Sequence, residues 1–126
     1  MRTAESPTAG GADTAARFLA LGDSYTIGES VPATERWPVQ LAALLRARGA
    51  TLGEPQIIAR TGWTTDELER AINAAAPRGP FALVSLLIGV NNQYRGRSAE
   101  EYRAQFRALL ARAVGFAGGD ASHVLV

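Results

Sequence analysis

The sequence predicts an α/β fold: a parallel sheet with helices on both faces. Three observations carry this. Strand-like and helix-like segments alternate along the chain. One segment, Phe81–Ile88, is almost continuously apolar, as in a central strand covered on both faces. Two helix starts carry capping-box spacing, Thr64 with Glu67 and Ser98 with Glu101. Strand–helix–strand alternation implies right-handed crossovers, and so parallel strands.

Each element follows from its residues. Phe18–Leu21 is a short apolar run and reads as the first strand. Gly22–Ala33 reads as a loop. Trp37, Leu41, Leu44 and Leu45 recur at helical spacing, and Gly49 stops them, which predicts a helix from about Arg36 to Arg48. Gln56–Ala59 is a second strand after Gly53 and Pro55. Arg60-Thr61-Gly62-Trp63 reads as a turn, and the helix capped by Thr64 extends to about Ala75. Pro77, Gly79 and Pro80 end it. Phe81–Ile88 is the third strand and Gly89-Val90-Asn91-Asn92 a loop. Tyr102, Phe106, Leu109, Leu110 and Ala113 mark one face of a long helix ending at Gly118-Gly119. His123–Val126 reads as a fourth strand. Ending on an apolar strand leaves unpaired backbone groups, which predicts that the chain is the N-terminal part of a longer domain.

Composition narrows the function. Net charge is +1, with 13 basic and 12 acidic residues interspersed, so nothing argues for nucleic acid or an anionic surface. No cysteine is present, and there is a single histidine. Disulfides, thiolate chemistry and Cys- or His-rich metal sites are therefore excluded, and no metal or cofactor is expected. No apolar run approaches the roughly 18 residues of a membrane span. Residues 1–16 are polar, lack the apolar core of a secretory signal and read as a disordered leader, with residues 17–126 as one domain. That favours the cytoplasm. Oligomeric state is open.

In a parallel sheet all strand C-termini lie along one edge, where such folds bind ligands. Three loops leave that edge here. The first carries Ser24 in Gly22-Asp23-Ser24-Tyr25, the second Gly62, the third Asn91. Acyl transfer needs a nucleophilic hydroxyl and donors aimed at a developing oxyanion. Ser24 is the candidate nucleophile. The N–H groups of Ser24 and Gly62 and the Asn91 side-chain amide are the candidate oxyanion hole. Asp23 is expected to hold the turn by bonding backbone, and Asn92 to shape the loop or orient Asn91. Tyr25 and Trp63 are candidates to line an acyl pocket or to serve as core or cover, and Trp37 is expected in the core. Arg95 and Arg97, near the site loop, are candidates to meet an anionic substrate but read more readily as a solvated face.

Gly22-Asp23-Ser24-Tyr25, then Gly62, then Gly89-Val90-Asn91-Asn92 resemble, in order, the first three blocks of the SGNH hydrolases, or GDSL esterases and lipases. The resemblance runs from about Phe18 to Val126. It implies a flavodoxin-like three-layer α/β/α sandwich, Ser24 as nucleophile, Gly62 and Asn91 as oxyanion donors, and a small-molecule ester as substrate.

The family's fourth block, Asp-x-x-His, comes after the last strand. Asp120-Ala121-Ser122-His123 has the spacing but precedes the fourth strand, at the opposite edge from Ser24. A strand of five residues separates the edges by roughly 17 Å. A general base must come within about 3 Å of its proton, so His123 is not expected to serve Ser24. The resulting expectation is a serine ester hydrolase domain whose activating segment is missing and whose activity is weak. The alternative is a non-catalytic ligand-binding or chain-pairing remnant of the same fold. Neither G-x-G-x-x-G nor a P-loop is present, and Ser24 is not in G-x-S-x-G.

Overall fold

The computed structural model describes residues 16–126. Its centre is β1 (Phe18–Gly22), every residue of which is buried. β1 is flanked by β2 (Gln56–Ala59) and β3 (Leu83–Leu87), and β3 pairs with β4 (Val124–Leu125). All pairings are parallel and the order is β2-β1-β3-β4. This is the start of the flavodoxin-like order, with the reversal of strand order lying between β1 and β3.

The period-2 alternation of β1 builds two cores. Phe18 and Ala20 face α2 (Trp37–Ala47), with Ala42, Leu52 and the flanking Trp37, Leu41 and Leu45. Leu19 and Leu21 face the other side. There they meet Leu68 and Ile72 of α3 (Thr65–Ala75), and Leu109 and Ala113 of α5 (Ala99–Phe116). Pro38 sits in the first turn of α2, where a missing N–H costs nothing. Glu67 Oε1 accepts the Thr64 N–H at 3.0 Å, and Ser98 Oγ accepts the Glu101 N–H at 3.0 Å, so both capping pairs form.

Several boundaries differ from expectation. The loop after β1 contains a one-turn helix, α1 (Ser24–Ile27), and a 3₁₀ turn at Ala33–Glu35. The loop after β3 contains a second short helix, α4 (Val90–Tyr94). Runs this short carry no periodicity to read. β3 is shorter than the apolar run that predicts it, with Phe81 and Ile88 buried but outside the ladder. It is also not fully covered on both faces: Leu83 packs with the α2 cluster, but Leu87, farther along the strand, is 46% exposed. β4 begins at Val124, since Ala121–His123 is a 3₁₀ turn in which Asp120 Oδ1 accepts the Ser122 N–H. The expected leader falls on residues outside those described, except Ala16. That residue instead bridges Leu52 and belongs to the fold.

Candidate active site

Strand register puts the three loops together. Gly22 pairs with Ala59 on one side and Leu87 on the other, so β1, β2 and β3 end level. The chain leaving β1 turns at once. Asp23 caps α1, its Oδ1 accepting the Tyr25 N–H at 3.0 Å. Its carboxyl is buried, and desolvation raises its pKa despite the bond from Tyr25. Ser24 is thereby the first residue of α1, where a backbone N–H has no intrahelical acceptor. Gly22 permits this turn. A β-carbon there would lie 2.8 Å from the Leu87 carbonyl oxygen and 2.8 Å from Thr26 Cβ, and closer still to Thr26 Oγ1.

Gly62 lies in the turn after β2, with φ +89, a conformation glycine adopts without strain. The Trp63 N–H donates to the Arg60 carbonyl at 3.3 Å to close this turn. Gly62 N–H has no hydrogen-bond partner among the described residues.

Asn91 lies in the first turn of α4. Its Nδ2 donates to the Trp63 carbonyl at 3.0 Å, which ties the loop after β3 to the loop after β2. An asparagine amide has two N–H groups, so one remains for another acceptor. Asn92 points into the protein and is 2% exposed. Its Oδ1 accepts the Thr65 N–H at 3.1 Å and its Nδ2 donates to Thr65 Oγ1 at 2.9 Å. Asn92 thus fastens α4 to the start of α3. Gly89, before it, has φ +138, and a β-carbon there would lie 2.8 Å from the Tyr102 ring. Tyr102 OH donates to the Ile88 carbonyl at 3.0 Å, and burial raises its pKa.

Arg95 and Arg97 lie at the surface, 41% and 29% exposed, and each is also held by neighbouring groups. Arg95 Nη2 donates to the Gly62 carbonyl at 2.6 Å and lies 3.3 Å from Glu67 Oε1. Arg97 Nη1 lies 3.2 Å from Asp66 Oδ1 and 3.5 Å from Glu101 Oε2. The Thr64 N–H, with smaller help from Arg95, holds Glu67 below the usual carboxylate range. Thr64 Oγ1, then Arg97, does the same for Asp66. Thr61 Oγ1 donates to Glu29 Oε1 at 2.9 Å, linking the loops after β1 and β2. Sequence reasoning missed Arg95. Its contact joins segments 33 residues apart, and the short helix that aims it carries no periodicity to read. Trp63 packs against the core, while Tyr25, next to Ser24, is 64% exposed.

His123 lies elsewhere. Val124 pairs with Val84, so His123 is level with Leu83, at the far end of β3 from Leu87. Four residues along the strand and two strand spacings across put it about 16 Å from the site edge. It is exposed and faces Asp120, with Nε2–Oδ2 3.6 Å. No cluster of three His, Cys, Asp or Glu side chains suited to a metal occurs among the described residues. Nor, among them, is any helix long and apolar enough to cross a membrane.

A flavodoxin-like sheet whose edge gathers a serine turn, a glycine turn and an asparagine-bearing helix defines the class of the SGNH-type α/β proteins. The model of the GDSL-like lipase/acylhydrolase family matches residues 20–121, and the chain belongs to that family. Among solved structures it is similar to AlinE4, an SGNH-hydrolase family esterase, with 26% identity and TM-score 0.66 over 78% of this chain and 52% of that one. It is similar in fold to TesA, at 19% identity and TM-score 0.71 over 80% and 56%. It is likewise similar in fold to the psychrotrophic esterase EstA from Pseudoalteromonas sp., at 19% identity and TM-score 0.68 over 80% and 55%. The chain thus spans about half the length of these structures. No curated protein matches it.

Proposed function

We propose that this chain carries the nucleophile half of a serine ester hydrolase site, acting on small-molecule esters through an acyl-enzyme. Ser24 Oγ attacks the ester carbonyl carbon, and the carbonyl oxygen takes up the electron pair. The Ser24 and Gly62 N–H groups and the free N–H of Asn91 Nδ2 stabilise that oxyanion. Its collapse expels the alcohol, and water then hydrolyses the acyl-Ser24 ester. The observation that carries this reading is the 3.0 Å bond from Asn91 Nδ2 to the Trp63 carbonyl. It brings the second and third loops together beside the strand that leads into Ser24. Family membership supports it.

The proton of Ser24 needs an acceptor. The only histidine of these 126 residues is about 16 Å from the site edge, so the proposal assigns activation to a histidine these residues do not contain. The test is labelling with a fluorophosphonate, alongside p-nitrophenyl acetate turnover, in the 126-residue chain and in a C-terminally extended form. A phosphonate suits the purpose because EstA, a fold relative, has a monoethylphosphonate-inhibited structure. Labelling at Ser24, abolished in Ser24→Ala, is expected in the extended form. Turnover that survives Ser24→Ala sinks the reading.

A second reading, a non-catalytic chain-pairing module, is favoured by one observation. β4 pairs only through Val124 and Leu125, and Leu125 and Val126 are exposed beside it. Such an edge templates further strands. Concentration-dependent dimerisation with no Ser24 labelling in either form would favour it.

A further inference from the structure

Gly62 is the weak point of the proposed oxyanion hole. Glycine has the widest backbone freedom of any residue, and an exposed turn does little to fix the direction of its N–H. A donor contributes to an oxyanion only when it is already aimed at it. Something must therefore hold the Gly62 backbone, and the structure contains one side chain that grips it.

Arg95 closes α4 and reaches back across the site edge. Its Nη2 donates to the Gly62 carbonyl at 2.6 Å, and the Arg95 N–H itself donates to the Asn91 carbonyl at 2.9 Å. The guanidinium lies over the side of Gly62 that has no β-carbon, 3.8 Å from where one would sit. It is oriented in turn by Glu67 Oε1 at 3.3 Å, and the same oxygen accepts the Thr64 N–H at 3.0 Å. Next along the turn, the Trp63 carbonyl is held by Asn91 and the Thr65 N–H by Asn92. Three side chains of one short segment thus fasten the stretch from Gly62 to Thr65, and Arg95 holds the glycine.

We propose that Arg95, oriented by Glu67, is a positioning residue for the Gly62 oxyanion donor. The proposal rests on the hydrolase reading above. An exposed Arg–Glu pair contributes little to stability, so the role is visible as a separation of effects. Loss of Arg95 leaves the fold in place and frees the Gly62–Trp63 peptide, and with it the rotation about the Gly62 α-carbon that also turns the adjoining N–H.

The experiment compares the parent protein with Arg95→Gln, Arg95→Lys and Glu67→Gln. It uses whichever form, the 126-residue chain or the extended one, labels at Ser24. Three quantities are read: the backbone amide order parameter of Gly62, the rate constant of Ser24 phosphonylation, and the melting temperature. Arg95→Gln is expected to lower the Gly62 order parameter from about 0.85 toward about 0.6 and slow phosphonylation roughly 10–100-fold, the upper end approaching the loss of a whole oxyanion donor. Its melting temperature should shift by only a few degrees. In ester turnover the loss should fall on kcat rather than KM. Arg95→Lys should recover part of the rate, and millimolar methylguanidinium part of the Arg95→Gln loss. An unchanged Gly62 order parameter and an unchanged phosphonylation rate in Arg95→Gln overturn the proposal while leaving the hydrolase reading intact. A large drop in melting temperature with no rescue by methylguanidinium also overturns it, in favour of a structural role. Absence of Ser24 labelling in every form overturns the hydrolase reading and this proposal with it.

Discussion

Gly22→Ala tests the close approach of the nucleophile turn to β3, the strand that leads to Asn91. The new β-carbon would sit 2.8 Å from the Leu87 carbonyl oxygen and 2.8 Å from Thr26 Cβ, and nearer still to Thr26 Oγ1. Carbon atoms pack at about 3.5–4.0 Å, so neither neighbour fits as it stands. The Thr26 hydroxyl can rotate away without losing a hydrogen bond, since it has none and is buried. The Leu87 carbonyl cannot, because it belongs to the strand paired with β1. The cost lies at the upper end of core overpacking, about 3 kcal/mol. For a domain of this size that is a fall in melting temperature of roughly 12 °C. Circular dichroism during thermal and urea unfolding measures it, and a lowered midpoint with unchanged urea slope is expected. Adding Thr26→Ala should recover part of the loss but not all, because the clashes with Leu87 and with the β-carbon that alanine keeps at position 26 remain. A Gly22→Ala protein within about 2 °C of the parent would refute the packing argument, and full recovery in the double variant would put the whole clash on Thr26.

Other outcomes follow from the same geometry. His123→Ala should leave the rate of Ser24 labelling unchanged in any form that labels, because His123 faces Asp120 at the opposite edge. Leu109→Ala removes a fully buried side chain from the larger core and should cost about 2–5 kcal/mol, read from urea midpoints. Thr64→Ala loses the cap of α3 and should cost about 1 kcal/mol, with amide exchange rising first at Thr65–Glu67. Asp66 and Glu67 have lowered pKa values in the fold. Their stabilisation is present above the unfolded-state pKa and is lost as pH falls through the lowered folded one. Asp66→Asn should therefore flatten the fall of melting temperature below about pH 4. Asp23 has the opposite sign: its pKa is raised, so its ionisation opposes folding as pH rises from about 4. A melting temperature of Asp66→Asn that still tracks the parent below pH 4 would count against the Asp66 assignment.

Most of the architecture was legible because long amphipathic segments and buried strands leave strong patterns. The apolar run Phe18–Leu21, the capping pairs at Thr64 and Ser98, and the spacing of Leu109 and Ala113 all point one way. The short helices Ser24–Ile27 and Val90–Tyr94 were not legible. Four or five residues complete barely one turn, and their helicity comes from Asp23 and from tertiary contacts to Trp63 and Thr65 rather than from propensity. The positions of Ser24, Gly62 and Asn91 at one sheet edge could be inferred from strand order alone. The hold of Arg95 on Gly62 could not, because it joins residues far apart in sequence through a side chain that composition alone reads as solvated. The exposed Leu87 escaped notice for a related reason: an apolar run shows that a strand is central, not how far a helix reaches across it.

The central place of β1 also bears on how the protein is made. Among the described strands β1 comes first in the chain, and it is the one with neighbours on both sides. Leu19 meets Gln56 only after 37 further residues and Phe18 meets Leu83 only after 65, at roughly 5–20 residues per second. Until β2 is made, a fully apolar strand has neither of its native partners. Pairing across such sequence distance also slows folding itself. The segment that later anchors the serine turn is thus, during synthesis, the one most in need of protection from other chains.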